Sequence, residues 1–407
     1  MSAELTAPPA QHIRTFLFKV AARCNINCSY CYEFNLADSS WRGKPRAMNS
    51  KVIDAAVRRV YDHIARHELK SIHIIFHGGE PLLAGKQVFA EVIEQTRVLI
   101  GDKCKVHFAL QTNGTLLDSD WLDFFSDHSI KVGLSIDGPQ GANDRFRLDH
   151  RGDSSFDAAV RGLSLLSQPR YKDIRGGLLS VMHPANDPIE LFDWLCSWQA
   201  PQIDFLFPHH SHSVPPPFPF DPDSGYGFGV WLSRIFDKWY SGDMHQVKVR
   251  VFEDIMHLML GGIHTTESFG LSPVRLAVIQ TDGAYEAVDS LKAVLDGAVF
   301  TGRTVFDSTV DDLSDVHLIS SRLHRADHLC EQCRQCSLVR VCGAGYIPHR
   351  FHPAHQFLAP SIYCHDLTYL IRHIEQAVRA SGDTTIIEAI DSTLRSLDEP
   401  ALQTAMA

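Results

Sequence analysis

Phe16-Leu17-Phe18-Lys19-Val20-Ala21 runs directly into Ala22-Arg23-Cys24-Asn25-Ile26-Asn27-Cys28-Ser29-Tyr30-Cys31-Tyr32-Glu33, and the fold is decided here. The first six residues are a mainly apolar run of strand length. The following loop carries three thiols, spaced by three and then two residues. Thiolates are soft ligands that suit iron–sulfur clusters, zinc or Cu(I). A four-iron cluster that only carries electrons takes four protein ligands. This loop offers three, and no fourth cysteine stands nearby, so one iron is left open to a small molecule. A zinc ion completed by a distant histidine is the alternative. The spacing, at the end of a first strand, favours the cluster.

Outward from this loop the chain alternates. A helical pattern starts near Ser50, with Val52, Ile53, Ala56, Val57, Val60 and Ile64 on one face. Strand patterns follow at Ile72–Phe76, Val106–Leu110, Lys131–Ile136, Gly176–Met182 and Ile203–Phe207. Helical patterns separate them at Gln87–Ile100, Ser119–Ser126, Phe156–Leu166 and Leu191–Trp198. Strands alternating with helices predict a parallel sheet joined by right-handed crossovers. Such sheets place their chemistry beyond the carboxyl ends of the strands. The cysteine loop, His77-Gly78-Gly79-Glu80-Pro81, Gln111-Thr112-Asn113-Gly114 and Asp137-Gly138-Pro139 all fall there, which predicts one shared site.

Pro208 to Gly229 is rich in Pro, Gly, His and aromatics and reads as a solvated loop, with a peptide-contacting lid as the alternative. Helices are expected at Val230–Tyr240 and Val247–Leu260, and a hairpin at Arg275–Val288 around Asp282-Gly283. Two amphipathic helices, Leu367–Arg379 and Thr385–Leu397, close the chain. Five of the ten cysteines stand together: Cys330, Cys333, Cys336, Cys342 and, further on, Cys364. Closely spaced thiolates of this kind wrap one metal centre, and a four-cysteine zinc knot is the alternative to a cluster. Cys104 and Cys196 stand alone and read as small buried apolar residues.

Ala22–Glu33 resembles the cluster loop of the radical S-adenosylmethionine (SAM) enzymes. The resemblance implies an α/β fold: a partial (β/α)6 radical SAM barrel followed by a C-terminal SPASM-like auxiliary Fe–S domain. It implies a [4Fe–4S] cluster on Cys24, Cys28 and Cys31 whose open iron is chelated by SAM, and a 5′-deoxyadenosyl radical that abstracts a substrate hydrogen. Tyr30 matches the family's aromatic near the adenine. Gly78, Gly79 and Glu80 match its GGEP motif, the glycines admitting the ligand and Glu80 accepting hydrogen bonds from the SAM amino group. Asn113 and Ser135 match strand-end contacts to the ribose or carboxylate. Asp137 is either a turn-capping or a functional carboxylate. Arg147 ends a stretch, Asn143–Arg147, that resembles the family's HD-x-x-R. It either pairs with a carboxylate or is solvated. Cys333, Cys336, Cys342 and Cys364 resemble the second auxiliary-cluster site of SPASM domains, which implies at least one auxiliary [4Fe–4S] cluster with every iron protein-ligated. Cys330 is left over, as a free thiol or an alternative ligand. The hairpin carries no cysteine, so the SPASM domain's other auxiliary cluster is expected to be absent. The expected division is a tail at 1–13, the barrel at 14–240, a helical linker at 241–274, the SPASM-like domain at 275–370 and C-terminal helices at 371–407.

Cys333–Phe351, Leu358–Leu367, Thr281–Lys292 and Ser135–Phe156 together resemble the SPASM maturases that build three-residue cyclophanes on ribosomally made peptides. The reaction implied is a carbon–carbon bond between an aromatic ring and the β-carbon of a residue two positions on. It begins with β-hydrogen abstraction and ends with loss of one electron and one proton. Asp282 and Asp289 are candidate bases, the alternative being ordinary turn carboxylates. Other peptide modifications (thioether formation, epimerisation, formylglycine formation) and a non-catalytic Fe–S or zinc protein are the competing readings. The implied partners are a precursor peptide and a flavodoxin- or ferredoxin-type reductant. With only 23 residues before Cys24, no leader-binding winged helix is expected there. Acidic residues outnumber basic ones, 48 to 38, which argues against a nucleic-acid partner. No apolar run of membrane-spanning length and no secretory signal is read, so a cytoplasmic protein is expected.

Overall fold

The computed structural model describes residues 12–398, except 219, 224, 243–246 and 264–266. Strand β1 (Thr15–Ala21) is followed by α1 (Ser50–His67), β2 (Ser71–Gly78), α2 (Lys86–Ile100), β3 (Lys105–Thr112), α3 (Ser119–Asp127) and β4 (Lys131–Ser135). Then come a short α4 (Gln140–Asn143), α5 (Phe156–Leu166), β5 (Arg175–Val181), α6 (Pro188–Ser197), β6 (Gln202–Leu206), α7 (Phe228–Ser241), β7 (Lys248–Val249) and α8 (Arg250–Met259). The remainder is β8 (Leu276–Ile279), β9 (Ala284–Glu286), β10 (Phe300–Thr304), α9 (His317–Leu323), α10 (Glu331–Arg334), α11 (Val339–Cys342), α12 (Cys364–Arg379) and α13 (Thr384–Thr393).

Local chemistry sets the helix starts. Asn49, Asp118 and Asp187 each cap a helix, accepting hydrogen bonds from first-turn amides of α1, α3 and α6. Every second residue of β2 is buried, as are Phe16, Phe18 and Val20 of β1, and the crossover helices cover that face.

The ten strands form one sheet in the order β10-β9-β8-β1-β2-β3-β4-β5-β6-β7. The pairs from β8 through β7 are parallel; β8–β9 and β9–β10 are antiparallel. The order is linear, so the barrel is open, as expected. The hairpin is not a separate layer: β8 pairs with β1 over Thr15–Phe18, extending the barrel sheet. One apolar core spans both parts, and a small satellite core of Leu329, Cys333, Val339 and Ala344 lies beneath the second cysteine group.

Among the elements that differ from the sequence reading, two belong to the sheet edges. The helix expected from Val247 starts only at Arg250, because Lys248 and Val249 first pair with Gln202 and Ile203 as an edge strand. Strand β10 was not expected: its residues are polar and partly exposed, and it is held by pairing with β9 rather than by burial. Among the described residues no helix is long and apolar enough to cross a membrane.

Candidate active site

The cysteine loop is held from two sides. Asn27 N donates to Leu148 O (2.7 Å) and Ser29 N to Phe146 O (3.1 Å), so the segment after α4 lines its outer edge. From the other side, Gly79 N donates to Ala21 O (3.0 Å) and Glu80 N to Arg23 O (2.9 Å). This explains both glycines. A Cβ on Gly78, whose φ is +144°, would lie 2.0 Å from Ala21 O, and one on Gly79 would lie 2.4 Å from Arg23 O. The glycines were expected to admit a ligand; here they admit the backbone of the cysteine loop itself.

Cys24, Cys28, Cys31, Tyr30, Gly78, Gly79, Asn113, Ser135, Asp137, Arg147 and Asp289 all line one cavity of about 820 Å³. Asn113 Nδ2 stands 3.7 Å from Cys24 Sγ, and its Oδ1 accepts from Thr115. Ser135 Oγ accepts from Gln111 Nε2. Asp137 and Arg147 are both buried, which settles Arg147 against solvation. They are joined through the Tyr30 hydroxyl, which donates to Asp137 Oδ2 (2.7 Å) and accepts from Arg147 Nη1 (2.8 Å). Asp137 Oδ1 also accepts from Val181 N, so this carboxylate ties the Cys loop to β5 rather than only capping its own turn.

Glu80 and Asp282 stand outside the cavity lining. Glu80 is fully buried, and its carboxylate accepts from Thr112 Oγ1 (2.7 Å), Asn113 N (2.8 Å) and Leu82 N (3.2 Å). It ties the ends of β2 and β3 together. Burial pushes it up to about 7. Asp282 sits on the hairpin turn, its side chain 37% exposed, paired with Lys44 at 2.8 Å.

Asp289 has a different environment. Its Oδ2 is 2.6 Å from Lys19 Nζ and accepts from the Tyr32 hydroxyl at 2.9 Å. Lys19, Glu33, Lys292 and Glu286 continue this buried charge network, with Glu33 bridging both ammonium groups. Burial alone would raise the Asp289 carboxyl, but the Lys19 ammonium outweighs it and holds the group well below the usual carboxylate range. Lys19 was read only as part of an apolar strand. Its burial on the sheet's inner face could not be inferred without knowing that a carboxylate 270 positions away would meet it.

One wall of the cavity is aromatic, and Tyr32 of the cysteine loop meets it edge-on at His209, ring centroids 5.1 Å apart. Phe207, His209, Tyr346, His349 and Tyr363 line it, with rings at contact distance. Burial pushes His77 and His209 down to about 4, so both rings are neutral. Among the described residues, His77 Nδ1, His209 Nδ1 and His349 Nε2 are buried with no hydrogen-bond partner. Orphaned polar atoms of this kind suit a polar ligand.

The donor sets suit iron–sulfur clusters. Burial pushes the Cys24 and Cys31 thiols up to about 12, so the protein alone leaves them neutral. A bound metal centre deprotonates its thiols outright and removes that conflict. Cys330, Cys333, Cys336, Cys342 and Cys364 form a second group of mutually interacting thiols, away from the cavity lining. Cys330 is in hydrogen-bonding contact with Cys333. Leu338 N donates to Cys336 Sγ at 3.4 Å, the kind of amide contact that supports a cluster thiolate.

Residues 18–195 match the sequence profile of the radical SAM superfamily. The chain is 25% identical over 352 residues to the cysteine-type anaerobic sulfatase-maturating enzyme of Clostridium perfringens, covering 84% of this chain and 90% of that one. It is 31% identical over 207 residues to the serine-type enzyme of Klebsiella aerogenes, about half of either chain. Among solved structures, anSMEcpe with bound AdoMet superposes with a TM-score of 0.76 at 22% identity, covering 93% of this chain and 99% of that one. Streptococcus suis SuiB bound to its precursor peptide SuiA gives 0.56 at 14% identity, over 87% and 76%. Residues 18–195, which include the three-thiol loop at the end of β1, are thus similar to the radical SAM superfamily, whose chemistry runs on a [4Fe–4S] cluster and SAM, and the solved structures share the fold of this chain.

Proposed function

We propose that this chain is a radical SAM peptide maturase that joins an aromatic side chain to the β-carbon of a residue two positions along a ribosomally made precursor. The observation that carries this reading is the placement of Asp289, anionic and facing an aromatic wall with unpartnered imidazole nitrogens, in the same cavity as the three-thiol loop.

Cys24, Cys28 and Cys31 would hold the first cluster, and Cys333, Cys336, Cys342 and Cys364 an auxiliary one. When bound, the first cluster and SAM supply a 5′-deoxyadenosyl radical that removes the substrate β-hydrogen. The remaining work falls to the chain's own groups. The Tyr30–Asp137–Arg147 chain fixes the cavity wall beside the cysteine loop. Asp289 accepts the proton that the substituted ring must lose, and Lys19 keeps it ionised to do so, while the electron lost with that proton would pass to the auxiliary cluster, when bound. Asp282, turned outward and paired with Lys44, is the weaker candidate. His77, His209 and His349 offer hydrogen bonds to peptide amides, while Phe207, Tyr346 and Tyr363 exclude water. A flavodoxin- or ferredoxin-type protein supplies the reducing electron.

Formylglycine formation is the second reading, favoured by what the curated relatives are named for. The test is anaerobic incubation of the reconstituted enzyme with SAM, dithionite and peptides carrying aromatic-x-(Asp, Asn, Arg or Lys) triplets. A loss of two hydrogens with no fragmentation inside the triplet is expected. A product that reacts with hydrazine carries an aldehyde and would establish the second reading instead.

A further inference from the structure

His63 and His67 stand one turn apart on the same face of α1, four residues being the helical repeat. Asp311, nearly 250 positions on, reaches both of them. Its Oδ1 lies 2.8 Å from His63 Nδ1 and 2.7 Å from His67 Nε2. Arg66 donates to the other oxygen, Oδ2, at 2.9 Å, which turns Oδ1 toward the imidazoles. The three donor atoms lie within 4.8 Å of one another. None of these residues lines the large cavity, so the reaction does not account for them.

Proton counting makes the cluster unusual. His63 Nε2 is 3.0 Å from the carbonyl oxygen of Ile13, a contact only an N–H can make. A neutral imidazole has one N–H, so Nδ1 then presents a lone pair to a carboxylate oxygen at 2.8 Å. A second proton on His63, making it an imidazolium paired with Asp311, or a metal cation between the two acceptors closes this contact. A ligating histidine characteristically donates its other N–H to a backbone carbonyl, as His63 does to Ile13.

We propose that His63 Nδ1, His67 Nε2 and Asp311 Oδ1 form a zinc(II) site that clips α1 to the segment after β10, with the chain entering β1 held alongside. Two imidazole nitrogens and one carboxylate oxygen are a borderline donor set that suits zinc, and a water completes the tetrahedron. Seating the ion requires the donors to open by only about 0.5 Å toward ordinary zinc ligand spacing. The His12 ring, stacked 3.7 Å from that of His67, shields one side. The site is structural, since it joins three chain segments distant in sequence and lies away from the cavity.

The test uses the full chain with its iron–sulfur clusters reconstituted anaerobically, dialysed against micromolar zinc chloride and analysed for zinc and iron. Wild type is expected to retain one zinc per chain beyond its iron complement and to melt at a higher temperature than before dialysis. His67→Gln and Asp311→Asn are expected to lose that zinc with iron content and SAM cleavage unchanged. If Asp311→Asn does not fold, His67→Gln, at a partly exposed position, decides alone. No retained zinc in wild type, or equal zinc in His67→Gln, overturns the proposal.

Discussion

The two cysteine groups differ in what surrounds them. The first has three thiols on the rim of a large cavity, held by backbone hydrogen bonds from β2 and from the segment after α4. The second has five thiols away from that cavity, with Cys330 and Cys333 against a satellite core of Leu329, Val339 and Ala344 and Cys336 and Cys342 against the main core. A deficit of one ligand beside open space suits a centre that binds a small molecule. A surplus of one ligand against packed apolar residues suits a centre that binds nothing else. The same element can therefore serve two ends, according to how many donors the chain brings and what it leaves beside them.

The sharpest way to break this comparison is Cys28→Ala against Cys342→Ala. The first should reduce 5′-deoxyadenosine formation to background. The second should leave SAM cleavage measurable while abolishing peptide product. Equal loss of SAM cleavage in both would erase the distinction.

Asp289→Asn comes next. It should lower peptide product formation by roughly 10²–10⁴-fold, the usual worth of a positioned proton acceptor, with SAM cleavage within a few-fold of wild type. Paired loss of both activities would show that Asp289 only holds Lys19 and the fold in place.

Gly79→Ala should destabilise the protein by about 1–3 kcal/mol, because its Cβ would press on Arg23 O and the chain entering the cysteine loop must shift. Thermal unfolding should show it, together with weaker retention of iron.

The smallest expected effect is on pH dependence. Folded His209 is pushed down to about 4 by burial, from an ordinary value of 6.5. Between those values the unfolded chain binds the extra proton, so stability is full above pH 6.5 and is lost as pH falls toward 4. The melting temperature of His209→Gln should fall less steeply across that window than that of wild type.

Much of the barrel was legible in the sequence. Helix Phe156–Leu166 falls on its expected residues, and the six strands fall within two residues of theirs, because each carries a clean apolar period between turn signals. The site was legible where chemistry is local: three cysteines in eight residues, or two glycines before a glutamate. It was not legible where charge meets charge across the fold. Tyr30, Arg147 and Asp289 stood out in their own segments but their partners did not, and Lys19, His63 and Asp311 are ordinary residues in theirs.

The sequence by itself determined the alternation of strands and helices and the two groups of thiols, since periodicity and ligand spacing are properties of neighbouring residues. Only the tertiary structure decided that the hairpin extends the barrel sheet, that Glu80 is enclosed by its own chain and that Asp289 faces the cavity beside a buried lysine. Those facts depend on burial and on electrostatic pairing between segments hundreds of residues apart, and neither exists until the chain has closed upon itself.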